Sequence, residues 1–559
     1  MPDLLSNPPD LLKNQYPIVV IGSGYGGSIT ACRMAMAGYQ VCLLERGAEW
    51  EPGTFPDSFL GIQKHTNKPS HPLGLYEYRT FSDIDVIKGC GLGGTSLINA
   101  SVAFRPDTDY FGRSDSRWPK AIQEEWAAGT LQNYYGQAEQ VLGSQSHPQG
   151  LELAKVKAMK MRADQLPDAD FALANINVTF RDGPNQFGVQ QSKCTDCGDC
   201  MTGCNVRAKN TLYMNYLPAA KQHGAEIYSR IKVEFIEKPK SGSGYTIHYR
   251  RVHEDREEPD LQQLNAQYVV LSGGSLGSTE LLLRSQAAGL PLSRTLGTRF
   301  SANGNFFGAA YNSDHVTNVL GFGSHDDERA QIRVGPAIVS AIRYDSKRPF
   351  SERMVIEDLV IPRAFVDVLR VAFPVVSATT GDDTHFSIHN ELSEAARVTR
   401  DLGGWDPTGA LNSTMIYIGM AQDEAGGEFL LDKQGNFQLS WPGLLNQSIF
   451  RMMNKELRGH AAALGAIYFQ NPRWHPLLGH HLITAHPLGG CPMADSSDQG
   501  VVDDRGRVYD GQGGVHVGLY VADGAVVPEC IGRNPLLTIS ALTERIADHL
   551  IAALKGGGQ

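Results

Sequence analysis

Ile18-Val19-Val20-Ile21-Gly22-Ser23-Gly24-Tyr25-Gly26-Gly27 is the stretch on which the fold turns. Its four leading β-formers make a short unbroken run, as expected for a strand buried on both faces of a parallel sheet. The glycines mark a tight turn. Residues 26–37 then carry Ile29, Cys32 and Met36 at helical spacing until Gly38 stops the helix. A second apolar run, Val41-Cys42-Leu43-Leu44, completes a βαβ unit and is closed by Glu45. In such a unit Gly22 permits the turn, Gly24 lets the backbone approach a pyrophosphate, and Gly27 lets helix and strand pack closely. The helix N-terminus, with Tyr25 and Gly26 in its first turn, attracts the anion, and Glu45 is placed to bind ribose hydroxyls. A carboxylate there disfavours a 2′-phosphate, so the pattern predicts FAD or NAD.

Around this unit, 559 residues leave room for several domains or for one large interwoven enzyme. With 42% hydrophobic and 20% charged residues and 60 glycines, the composition is that of a globular protein with a large core. The greasiest run, residues 365–378, is interrupted by Asp367 and Arg370 and is too short to span a bilayer. A net charge of -10 with no dense basic cluster excludes nucleic acid as a partner. The opening MPDLLSNPPDLLKNQ lacks a basic n-region and an apolar h-region, which predicts a cytoplasmic protein without disulfides. Cys32, Cys42, Cys90, Cys491 and Cys530 are expected to be small buried hydrophobes.

Glycine-rich loops recur at residues 89–94 and after Tyr268-Val269-Val270-Leu271. Residues 536–554 read as an amphipathic helix with Ile539, Leu542, Ile546, Leu550 and Leu554 on one face. Between 301 and 475 the pattern changes: Phe437, Leu439 and Trp441 alternate, and the apolar run 415–420 has strand length. This predicts a second, non-contiguous domain built on an antiparallel sheet. His480 and His481 read as a polar strand end.

Five further blocks follow one another along the chain: Gly89-Cys90-Gly91-Leu92-Gly93-Gly94-Thr95-Ser96-Leu97-Ile98-Asn99, Ser272-Gly273-Gly274-Ser275-Leu276-Gly277-Ser278, His486-Pro487-Leu488-Gly489-Gly490-Cys491, Leu519-Tyr520-Val521-Ala522-Asp523-Gly524 and Gly532-Arg533-Asn534-Pro535. With the first fingerprint they resemble the glucose-methanol-choline (GMC) oxidoreductases, and within that family the cholesterol oxidase branch. The resemblance implies an α/β fold in which a Rossmann-like FAD-binding domain (11–105, 191–300 and 476–559) is interleaved with substrate-domain and cap segments (106–190) and a substrate-binding domain (301–475). It adds Gly93, Gly94, Ser96, Asn99, Val233, Gly274, Asp523, Gly524 and Pro535 to the residues expected around FAD. Asn99 is expected at the isoalloxazine edge, Asp523 near the ribityl and pyrophosphate chain, and Pro535 near the ring.

The implied reaction is oxidation of an alcohol by hydride transfer to flavin N5, which needs a proton acceptor near the hydroxyl. His486 matches the family's active-site histidine, able to take the proton or to orient the alcohol, and Asn534 matches the asparagine that meets the substrate oxygen. Read in isolation, a histidine before Pro-Leu-Gly-Gly is a structural residue. The cholesterol oxidase branch also uses a carboxylate, and Glu357, in an apolar run ahead of Pro362, stands in a comparable place. The alternative there is an exposed strand residue. The implied substrate is a bulky apolar alcohol such as a sterol. A dehydrogenase for a fatty alcohol, sugar or choline-like substrate, and an electron-transfer flavoprotein, are the alternatives. Oxygen or another acceptor would take the electrons, and transient contact with a membrane surface is compatible with the sequence.

Cys194, Cys197, Cys200 and Cys204 have the spacing of a bacterial ferredoxin half-site, so an iron-sulfur cluster is one reading. There is no second run, however, and Asn205 stands where a proline usually follows. A zinc site or a structural turn remains open.

Overall fold

The computed structural model describes residues 4–239, 242–323, 332–344, 347–384, 388–475 and 481–556. The first strand, Gln15–Ile21, lies between Val41–Leu44 and Gln262–Leu271, all parallel, with Ile18 opposite Val41 and Val19 opposite Val269. All four residues of Val41–Leu44 are buried, as a run without polar alternation requires. The helix Tyr25–Met36 connects the first pair. Glu226–Tyr228 extends one edge in parallel. Gln262–Leu271 forks. Its first half pairs antiparallel with Tyr245–Arg251, and its last three residues pair parallel with Val515–Val521. Ile231–Glu237 and Arg507–Tyr509 complete eight strands.

The second sheet has seven strands, all antiparallel, in the order Asp382–Asp383, Ile467–Gln470, Phe306–Tyr311, Met415–Ala421, Met354–Leu359, Ser340–Tyr344 and Asp170–Leu173. One face is covered by helices. A Cβ on Gly308 or Gly419 would press on Leu457 or Met453 of the helix Ser448–Ala463. On that same face Asp358 meets Lys155 of the helix Ala154–Ala163 at 2.8 Å. Side chains alternate along a strand, so Glu357, Ile418 and Phe307, which stand opposite one another in the register, point to the other face. The architecture is thus the expected α/β one, a Rossmann-like parallel sheet interleaved with an antiparallel sheet.

Two local expectations are corrected. Residues 436–441 do form a strand, Phe437–Ser440, but it pairs only with Glu428–Leu431, as a hairpin apart from the main sheet. The last helix, Leu536–Lys555, is buried around its whole circumference up to Ala547, not on one stripe. Its polar side is enclosed because Glu544 pairs with Arg33 (2.9 Å) and Arg545 with Glu125 (2.7 Å) and Asp504 (2.9 Å). The apolar stretch at 365–378 lies in the helix Arg363–Thr380, which leaves Val371 and Val375 exposed. No helix among the described residues is long and apolar enough to cross a membrane. His480 lies outside the described residues. His481 adjoins the short strand Leu482–Thr484, with its Nδ1 3.7 Å from Asp85. The five scattered cysteines are buried, as expected.

Candidate active site

The fingerprint glycines divide into two kinds. Gly22 has φ +97°, and a Cβ there would lie 2.4 Å from the Ser272 carbonyl oxygen. At Gly26 a Cβ would fall 1.7 Å from the Ala522 carbonyl oxygen, and at Gly27 1.8 Å from that of Gly22. These three are demanded by the chain's own packing. Gly24 is not: its φ is -65° and a Cβ would meet nothing within 4 Å. What requires glycine there is the space in front of it, at the N-terminus of a 12-residue helix.

The other loops close on that space. Gly94, at φ +56°, would bring a Cβ to 2.9 Å from the Gly24 Cα. The Gly93 amide donates to Ser23 Oγ (3.0 Å), and Ser96 Oγ donates to the Gly93 carbonyl (2.6 Å). The Glu45 carboxylate turns to the fingerprint, accepting from the Ser23 amide (3.0 Å) and the Gly47 amide (2.8 Å). Asn99 donates to the Tyr25 hydroxyl (2.9 Å). Asp523 accepts from the Gly274 amide (2.8 Å) and the Ala525 amide (2.7 Å), so that Gly524 opens a buried 3-10 turn. Pro535, also buried, is the N-cap of the last helix. Val233 lies at an irregularity of its strand, two residues after Ile231, whose amide donates to the Glu45 carbonyl (2.8 Å). Helix N-terminus, open Gly24 and terminal carboxylate fit a bound dinucleotide.

On the antiparallel sheet, Glu357 is fully buried. Its Oε2 accepts from Asn534 Nδ2 (3.2 Å), while Glu357 Oε1 and Asn534 Oδ1 have no protein partner. Burial drives the Glu357 pKa up, with Asp358 adding to the rise and the Asn534 hydrogen bond and Arg533 opposing it, to about 8. The exposed-strand alternative is therefore excluded.

His486 is held by a residue that the sequence did not single out. Asn305 Oδ1 accepts from the Ala485 amide (3.0 Å) and Thr484 Oγ1 (3.1 Å), so its Nδ2 faces His486 Nδ1 at 3.0 Å. A backbone N–H can only donate, which fixes the carboxamide and makes His486 Nδ1 the acceptor. The ring proton is thereby assigned to Nε2. Burial lowers the His486 pKa to about 4, so the ring is neutral at working pH and offers a donor, not a base. Two residues away, Asn303 donates to the Arg533 carbonyl (2.7 Å) and accepts from the Gly532 amide (2.8 Å). One turn, residues 301–305, therefore steadies both His486 and the segment bearing Asn534. That turn is anchored by Asp423, which accepts from Ser301 Oγ (2.8 Å) and the Gly304 amide (2.9 Å). Its sequence, Ser301-Ala302-Asn303-Gly304-Asn305, is a polar cluster ahead of a strand and carries no spacing rule that would have flagged it.

The four clustered cysteines line different parts of the core. Cys194 and Cys204 pack against one apolar cluster, Cys197 against another beside Phe322, Val334 and Val360, and Cys200 is buried. Among the described residues no group of three or more His, Cys, Asp or Glu side chains is arranged to hold a metal ion. Two turns, at Gly198 (φ +85°) and Gly203 (φ +110°), break the ferredoxin-like run.

Family models described as GMC oxidoreductase match residues 25–301 and 471–543. The chain belongs to the GMC oxidoreductase family. It is 26% identical to a cholesterol oxidase of Acinetobacter baumannii over 96% of this chain and 94% of that protein. It is 20% identical to a long-chain-alcohol oxidase of Arabidopsis thaliana, over 96% of this chain and 67% of that one. Among solved structures, a fungal aryl-alcohol oxidase superimposes with a TM-score of 0.59 at 16% identity, over 97% of this chain and all of that one. The protein is an FAD-dependent oxidoreductase acting on the CH-OH group of donors.

Proposed function

We propose that the chain oxidises a bulky apolar alcohol, such as a sterol, to the corresponding carbonyl. The observation that carries this reading is Glu357: a buried carboxyl with one free oxygen, paired with Asn534 on an apolar sheet face. His486 Nε2–H donates to the substrate hydroxyl oxygen and holds it in place. The Glu357 carboxylate takes the hydroxyl proton through Oε1, while Asn534 keeps Oε2 engaged and so fixes the carboxylate's orientation. When bound in the glycine cradle, FAD supplies the acceptor for the hydride that leaves the carbinol carbon. With a sterol that carries a ring double bond, the same carboxyl can carry a proton between ring carbons.

The cholesterol oxidase relatives favour a sterol, and the long-chain-alcohol oxidase favours a fatty alcohol as the second reading. Both need the same apolar face. The electron-transfer reading loses support because the cysteines do not assemble a metal cage. Anaerobic mixing of the yellow protein with cholesterol, 1-dodecanol, glucose and choline tests the proposal through loss of the visible flavin band. Bleaching should be fastest with the two apolar alcohols. Bleaching by glucose or choline alone, or by none of the four, overturns it.

A further inference from the structure

The cysteine segment, residues 194–206, lies over the catalytic face of the antiparallel sheet. Leu359 and Ile418, on the Glu357 face, are buried in a cluster against which Cys194, Met201, Cys204, Phe104, Phe307 and Ile416 pack while remaining only partly buried. The two carboxylates of the segment, and Lys209 beyond it, are engaged elsewhere. Asp196 binds His147 (3.0 Å) and Arg333 (3.0 Å), and Asp199 accepts from the Arg363 amide at the start of a helix (2.6 Å). Lys209 donates to the carbonyls of Cys200 (2.9 Å) and Leu97 (3.1 Å), tying the segment to the second flavin loop. Asn205 clasps the Phe55 backbone through its amide (3.0 Å) and carbonyl (2.9 Å), and Tyr76 donates to the Thr202 carbonyl (2.6 Å). The result is a fixed strap whose Met201 and Cys204 pack on hydrocarbon, and whose Cys194, beside the same cluster, also accepts from the Asp196 amide (3.4 Å). Cysteine and methionine suit such a surface because they are apolar, polarisable and adaptable.

The geometry points to a role for this strap in place of metal binding: Cys194, Met201 and Cys204, with Phe104, Phe307 and Ile416, hold the hydrocarbon body of the alcohol and select among alcohols by its length and bulk. This rests on the alcohol-oxidising reading above.

Two measurements on the FAD-loaded enzyme test it. In the first, kcat/KM is measured for 1-butanol and 1-dodecanol in the wild type, Met201→Phe and Met201→Gln. The dodecanol-to-butanol ratio should fall about tenfold in each variant at unchanged flavin content, the scale on which apolar pockets discriminate methylenes. In the second, iodoacetamide labelling of single cysteines is followed by mass spectrometry with and without dodecyl methyl ether, an apolar chain with no hydroxyl to oxidise. Cys194 and Cys204 should be protected while Cys197, on the other cluster, labels as before. An unmoved ratio together with equal labelling overturns the inference, as does iron or zinc at stoichiometric level that is lost in Cys197→Ser. Protection by the ether in a protein whose flavin no alcohol reduces would leave the strap standing and remove the catalytic reading instead.

Discussion

The cofactor cradle and the face proposed to be catalytic are specified in different ways. The cradle is written in glycines: Gly22, Gly26 and Gly27 are fixed by backbone contacts within a few ångströms, and Gly24 by open space. Its first loop is readable in a short contiguous stretch of sequence, although Gly22 and Gly26 meet Ser272 and Ala522 far along the chain. The catalytic face is written in side chains from four distant places, Asn305, Glu357, His486 and Asn534, none of which has an unusual backbone. Backbone approach leaves a local signature, whereas a pair of polar side chains across a sheet leaves none until the sheet is assembled.

Gly24→Val should break the two regions apart most completely. A side chain there meets only the space in front of the helix N-terminus, so bound flavin should fall to less than about a tenth of stoichiometric while the fold persists. Absorbance and circular dichroism check the two halves of that statement, and a variant that stays yellow would show that packing, not the ligand, selects glycine.

Glu357→Gln comes next. Flavin reduction should slow by about 10²-fold or more, the scale of losing a positioned base. The wild-type reduction rate should climb with pH through about 8 as Glu357 ionises, with no second step from His486, which is already neutral above about 4. The same shift acts on stability. Between the unfolded value near 4.5 and the folded value near 8, unfolding releases a proton that the native state keeps. The contribution of the protonated carboxyl is therefore complete below about 4.5 and lost as pH rises through about 8. Glutamine never ionises, so the Tm advantage of Glu357→Gln should be largest above pH 8 and vanish in acid. An equal advantage at all pH values would place the ionisation elsewhere.

Asn305→Asp sharpens the comparison with a smaller effect. An aspartate would accept a proton from His486 Nδ1 and favour the opposite tautomer, costing about tenfold in flavin reduction through loss of the oriented donor. Nitrogen NMR of the imidazole separates this from mere destabilisation, since only a change of tautomer exchanges the two ring-nitrogen shifts.

What was legible in the sequence follows the same division. The first βαβ unit, the three glycine loops and the antiparallel character of the middle region were readable because glycine spacing and strand periodicity are local. Glu357 was visible as a carboxyl in an apolar run, but the side to which it points depends on Lys155 claiming its neighbour Asp358. The last helix misled because its polar residues meet partners as far away as Arg33 and Glu125, which periodicity within the helix cannot disclose. The cysteines left three readings open, a cluster, a zinc site and a structural turn. Their spacing is regular in sequence, but which apolar cluster each one meets depends on chain far from the run.

The forked strand, Gln262–Leu271, has a consequence for how the molecule is made. On one side its last three residues pair with Gln15–Ile21, but on the other their parallel neighbour is Val515–Val521, and Gly26 meets the backbone at Ala522. On the ribosome, the half-built nucleotide site must wait through nearly 250 further codons for the strand that closes it. Long-range parallel pairing is slow and leaves an unpaired edge exposed meanwhile. The complete cradle for the cofactor therefore exists only once Val515–Val521 and Ala522 have been made.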